Sequence, residues 1–228
     1  MIHKLEKIPI KSTAKQVVDR LRIQELEDIE LVTELFRKAC DIANPKALYR
    51  EAYVEEIEGC KVRISGKDFE SAVMAANLKN IHRVFAYVCT CGTEIDNWSH
   101  LEKDHIVSLW LDMIKQMFVY DANLFLFKHL KTVFGFKNLS AMNPGSGNLG
   151  NWPITQQREL FSLIGDVKSE IGVTLTDTFL MLPVKSTSGL YFSSEKEFVN
   201  CALCGRKNCV GRKAEFDEKL YNEVFSCL

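Results

Sequence analysis

Apolar residues return at helical spacing through AKQVVDRLRI and DIELVTELFRKACDIA, so the first 44 residues read as mainly helical up to the break at Asn44-Pro45. The period then changes. ALYREAYVEEIEGCKVRISG alternates like a pair of strands, with Gly59 at the turn and Val62 and Ile64 alternating with Arg63 and Ser65. KDFESAVMAANLKN, between Gly66 and Asn80, reads as a helix with Asp68 as its cap or first-turn acid. HRVFAYVCTCG reads as a buried strand ending at Gly92. From Thr93 to about Val133 the pattern is helical again and apolar on much of its circumference, which places that helix at the centre of the fold.

NLSAMNPGSGNLGNWP, with three glycines and two prolines, interrupts every period. ITQQRELFSLIG then predicts a short helix and DVKSEIG a helix or turn. LTDTFLMLPVKSTSGLYFS predicts two strand-like pieces with a polar joint, PVKSTSG, between them. Beyond Phe198 come three clustered cysteines and a polar helix, KAEFDEKLYNEVF. The elements give one α+β domain over 1–228: an N-terminal helical region at 1–44, a core at 45–197 and a cysteine-containing tail at 198–228.

The chain of 228 residues is 46% hydrophobic, enough for a sizeable core. Its 29 basic and 30 acidic residues leave a formal charge of -1, with no basic block of the kind that nucleic acid or an anionic membrane surface requires. The polar opening, MIHKLEKIPIKSTAKQ, is not a secretory signal, and no apolar run spans a bilayer; a cytoplasmic location follows as the expectation. In a reducing compartment the eight cysteines are free thiols, metal ligands or redox groups.

Three segments, in order, carry a resemblance: NPGSGNLGNWPITQQREL, SEIGVTLTDTFLMLPVKSTSGLYFS and the cysteine tail. The second fits I-G-x-x-L-T-[DE]-[ST]-F-x-M-x-P-x-x-S-x-S-G-x-Y-F from Ile171 to Phe192. Together they resemble the S-adenosylmethionine-binding activation domain of cobalamin-dependent methionine synthase, and most of all its short stand-alone relatives. The resemblance implies a single curved domain with a twisted antiparallel sheet and flanking helices. It implies an accessory role in the reductive reactivation of a corrinoid (vitamin B12) methyltransferase, with S-adenosylmethionine as methyl donor. Cobalamin would sit on a partner, a corrinoid-binding domain or methyltransferase protein, and the electron would come from a donor such as a flavodoxin or ferredoxin.

By the same resemblance, Tyr191 takes the place of the family's ligand-touching tyrosine, and Asp177 that of its Asp/Glu in L-T-[DE]-[ST]. Lys185, Ser186, Ser188 and Gly189 belong to the segment that faces the ligand, hydroxyls and a close backbone approach being what a nucleoside requires. Asn143, Pro144, Gly145 and Ser146 form the upstream loop, whose backbone N–H groups suit a carboxylate or hydroxyls. The family pattern there is R-x-x-P-G-Y; its arginine falls on Ala141 and its tyrosine on Ser146. A lost bidentate anchor costs about 2 kcal/mol, and Lys185 or Lys137 offers a point charge in its place, not a fork. On the central helix Asp112 and Asp121 are about 2.5 turns apart and do not share a face; Asp112 is the better acid for the site.

CALCGRKNC places Cys201, Cys204 and Cys209 at x2 and x4 spacing, which predicts three sulfurs converging on one point. Zinc with a fourth ligand (Cys227, Cys60, Cys89 or Cys91, or one from solvent), an iron–sulfur cluster, or reduced unliganded thiols all fit. Cys89 and Cys91 alternate on a strand and so point to one side. Two other functions stay open: a cysteine-ligated metal or iron–sulfur redox module, and a corrinoid-protein docking module with no small ligand.

Overall fold

The computed structural model describes the chain except for residues 147–151, 195–199, 210, 211, 213 and 226–228. Its organising element is β5 (Arg83–Thr90), whose side chains are buried on both faces and which lies between two neighbours of its own sheet. Around it, in chain order, are β1 (Ile2–Leu5), α1 (Ala14–Leu21), α2 (Leu26–Ile42), β2 (Lys46–Glu58), β3 (Lys61–Ile64), β4 (Lys67–Glu70) and α3 (Ala72–Leu78). After it come α4 (Thr93–Ser99), α5 (His105–Phe134), β6 (Leu139–Met142), α6 (Gln157–Ile164), α7 (Val167–Ile171), β7 (Thr174–Leu175), β8 (Met181–Leu182), β9 (Ser186–Ser193) and α8 (Glu218–Phe225).

The main sheet is antiparallel in the order β4-β3-β2-β5-β9-β6, with β1 added to β2, and β7 pairs β8 in a separate hairpin. The α+β class with a curled antiparallel sheet and flanking helices is as the sequence predicts. Alternation along β5 explains the two-sided burial. Val84, Ala86 and Val88 face the layer of α3, α6 and α7, while Phe85, Tyr87 and Cys89 face α5. The first half of α5 is covered in turn by α1, α2 and α4 around Phe118 and Ile114.

Four expectations are corrected. Residues 2–5 form β1, a strand inside the stretch read as helical. Residues 67–70 are β4, with Asp68 opposite Arg63, and the helix begins only after Ser71, whose hydroxyl accepts from Met74 N at 3.0 Å. The long helical stretch is two helices; Asp104 restarts the second by accepting from Ile106 N and Val107 N at 2.7 and 3.1 Å. The Gly/Pro-rich interruption contains β6, the outermost strand. Among the described residues no helix is long and apolar enough to cross a membrane.

Candidate functional site

β6 pairs with β9 only from Leu190 to Ser193, so no described strand covers the outer edge of β9 from Ser186 to Ser188. In an antiparallel ladder successive residues direct their peptide groups to opposite sides. Lys185 O accepts from Cys91 N, toward β5, whereas Ser188 O is reached from the outside by Asn143. Ser186 and Ser188 therefore direct their backbone groups outward; apart from Ser188 O, which Asn143 meets, they form a row that no described strand pairs.

Asn143 fixes the geometry. Its Nδ2 donates to Ser188 O at 2.7 Å and to the Tyr87 hydroxyl at 2.8 Å, joining the end of β6 to two strands. Gly189 makes this approach possible: a Cβ there would stand 2.4 Å from Met142 O and 2.6 Å from Asn143 Nδ2. After Asn143 the chain turns through Pro144 and Gly145, with Ser146 N donating to Asn143 O at 3.2 Å and Gly145 at φ +74°, the geometry of a type II turn. Gly145 N donates to Trp152 O at 2.8 Å. The loop's N–H groups at 145 and 146 are thus spent internally, and the turn supplies shape rather than the open nest of donors expected for an anion.

Lys185, just before β9, and the odd-numbered positions of β9 face α5. Lys185 Nζ lies 2.7 Å from Asp112 Oδ2, Thr187 Oγ1 lies 3.4 Å from Asn123 Oδ1, and Tyr191 stacks on Tyr87 at 4.4 Å with Phe127 beside it at 6.1 Å. Burial pushes the Tyr87 hydroxyl up to about 12 and the Tyr191 hydroxyl further still, so both rings stay neutral hydrogen-bonding groups at physiological pH. Tyr191 is only 5% exposed and lies beneath this edge.

The even-numbered hydroxyls point to the opposite face. Ser188 Oγ accepts from Gln157 Nε2 at 3.0 Å, and Ser186 Oγ lies 2.8 Å from Pro183 O and 3.0 Å from Thr90 Oγ1. What these two serines offer the outer edge is backbone. The structure thus brings Asn143, Pro144, Gly145, Ser188 and Gly189 together, with Ser186, Lys185 and Tyr191 along the same strand. Asp177 is apart: fully exposed in the turn before β8, 3.8 Å from Arg158 of α6, on the face opposite α5. Asp121 is buried and holds Lys11 N and Ser12 N at 3.0 and 2.9 Å, a structural duty, whereas Asp112 meets Lys185. Tyr87, Asn123 and Gln157 were missed by sequence reasoning; the one signal available was Asn123, a polar residue in an apolar helix.

The cysteine tail is arranged differently. Among the described residues no three His, Cys, Asp or Glu side chains form a group that could hold a metal ion, Cys201, Cys204 and Cys209 included. The loop is built around a guanidinium instead. Arg212 donates to the carbonyls of Cys201 at 3.3 Å, Cys204 at 2.9 Å and Ala214 at 3.0 Å, and also to that of Arg206. Cys227 lies outside the described residues. Cys89 and Cys91 are fully buried, and burial pushes both thiols up, Cys91 to about 12, so neither is a ready ligand or nucleophile. Two open hollows of about 670 and 520 Å³, at the β2–β3 end, contain none of the candidate residues.

Residues 139–210 match the family described as vitamin B12 dependent methionine synthase, activation domain. That span begins at β6 and takes in the Pro-Gly turn, β9 and the three tail cysteines. Among solved structures, the MetH reactivation domain bound to AdoHcy superposes with a TM-score of 0.60 at 15% identity, over 88% of this chain and 81% of that one. No curated protein matches the sequence. The resemblance carried by Ile171–Phe192 is therefore borne out as a match: residues 139–210 match the activation domain of vitamin B12 dependent methionine synthase, and the chain shares the fold of the MetH reactivation domain.

Proposed function

We propose that the protein supports the reductive reactivation of a corrinoid methyltransferase, holding an S-adenosylmethionine-type ligand along the outer edge of β9. The observation that carries this reading is the Asn143 bridge, which sets a turn beside an open row of backbone groups within the matched segment. Such a row recognises the edges of a nucleoside without any charged partner. The solved relative is bound to AdoHcy, the product form of that ligand class.

When bound beside a corrinoid partner, the ligand supplies a methyl group to cobalt that a one-electron donor has reduced from cobalt(II) to cobalt(I); the sulfonium leaves as a neutral thioether. No proton moves in that transfer, and the site matches it. The groups around Asn143 are backbone, amide and neutral aromatic, with Tyr87 and Tyr191 held protonated by burial. The work left to the chain is orientation: Asn143 holds the turn, Gly189 admits the backbone approach, and α5 fixes the far wall. The corrinoid partner is a corrinoid-binding domain or methyltransferase protein, and the electron donor a flavodoxin or ferredoxin.

The test mixes the protein with a corrinoid methyltransferase in its cobalt(II) state, a low-potential reductant and S-adenosylmethionine. The methylcobalt(III) spectrum should appear faster in its presence. Equal rates with and without the protein, together with no calorimetric heat on adding S-adenosylmethionine, would sink the reading.

A further inference from the structure

The family's arginine position is Ala141, on β6 opposite Tyr191, so the fork that would hold an amino-acid carboxylate is absent from that place. A charged pair stands elsewhere along the same strand. Lys185, just before β9, meets Asp112 of α5 at 2.7 Å, with the lysine side chain 20% exposed and the aspartate 47%. By strand rise Lys185 lies about 10 Å from Ser188. That separation suits an extended nucleoside amino acid with its base near Asn143 and its amino-acid end near the pair.

We infer that the Lys185–Asp112 pair is the clamp for the zwitterionic end of the ligand. The inference rests on the reading of the site given above. A zwitterion carries a carboxylate and an ammonium on one carbon, and an ion pair presents the opposite order. The two dock head to tail, carboxylate on Lys185 Nζ and ammonium on Asp112, and neither protein charge is left alone. Asp112, at 47% exposure, leaves the pair open to solvent on one side, which is where a second pair enters. The clamp also sets specificity. A lysine is a point charge rather than a planar fork, so the site demands both charges of the ligand where an arginine would grip the carboxylate by itself.

The experiment is calorimetry on the full chain with two probes, S-adenosylhomocysteine and methylthioadenosine, which share the nucleoside and differ in the amino-acid end. Lys185→Met and Asp112→Asn should each weaken S-adenosylhomocysteine about tenfold and leave methylthioadenosine unchanged. The exchanged double variant, Lys185→Asp with Asp112→Lys, retains an ion pair between strand and helix. A merely structural pair would be rescued by that exchange, whereas a clamp would not. The inference is overturned if the single variants weaken both probes equally, if they weaken neither, or if the exchange restores affinity. Binding of both probes by the wild-type protein, with no dependence on Lys185, removes the clamp and leaves the site. No binding of either probe removes both.

Discussion

Asn143 and Ser188 are 45 positions apart in the chain and share a hydrogen bond; Cys201, Cys204 and Cys209 fall within nine residues and do not form a metal-holding group. The two regions carried equally good chemical credentials as sequence. What separates them is the framework beneath. A strand register fixes where a residue stands to within a fraction of its own length, and β9 is held between β5 and β6 from Leu190 to Phe192. The tail has a short helical turn and an arginine, and Arg212 organises the carbonyl oxygens of its loop. Nearness in sequence supplies opportunity for a site; register supplies the site.

The sharpest way to break this contrast is at Gly189. Gly189→Ala should destabilise the protein by about 3 kcal/mol, because the new methyl group collides with the Met142 carbonyl, a backbone atom of a paired strand, and with Asn143. Thermal unfolding checks it, and an unchanged Tm would mean that β6 is not held where it is drawn. Asn143→Ala comes next, at about 2 kcal/mol, since it strips a partner from Ser188 O and from the buried Tyr87 hydroxyl. The same variant should lose nucleoside binding, which a thermal-shift titration would read.

Smaller effects belong to the tail. Arg212→Ala should leave global stability within about 1 kcal/mol and raise amide exchange only around 201–214 and the adjoining α8. Protection lost throughout the sheet would show that the tail braces the core. Smallest of all, Cys204→Ala should shift stability by about 0.5 kcal/mol or less, the ordinary range for a half-buried surface position. A metal ligand would behave otherwise, because binding energy there is folding energy. Stoichiometric zinc or iron in anaerobically prepared wild-type protein, lost in this variant, would erase the contrast between the two regions.

Much of the architecture is legible in the chain, for reasons that also explain the misses. β5 and α5 are long and strongly patterned, and both stand where their period places them. β1, β4 and β6 are four residues each, too short for alternation to outvote their neighbours. β6 is hidden among glycines and prolines and exists because β9 offers it an edge, which no local window can register. At the site, the Pro-Gly turn and the S-x-S-G strand were visible. The direction of each serine was not: strand parity sends the hydroxyls of Ser186 and Ser188 to the α6 side and their peptide groups to the outer edge. Asp177 looked equivalent to its neighbours in the motif, yet a two-strand hairpin carries it away to Arg158.

α5 has a consequence beyond packing. Asp112 and Asn123 stand on one unbroken helix, eleven residues apart, and a helix rises about 1.5 Å per residue. Their separation is therefore a gauge of about 16 Å that loop motion cannot rescale. Asp121 adds a fixed datum, tied to the backbone at Lys11 and Ser12. A load on one end of α5 moves the other end with it, so Asp112 and Asn123 tilt or slide against β9 together and keep their spacing.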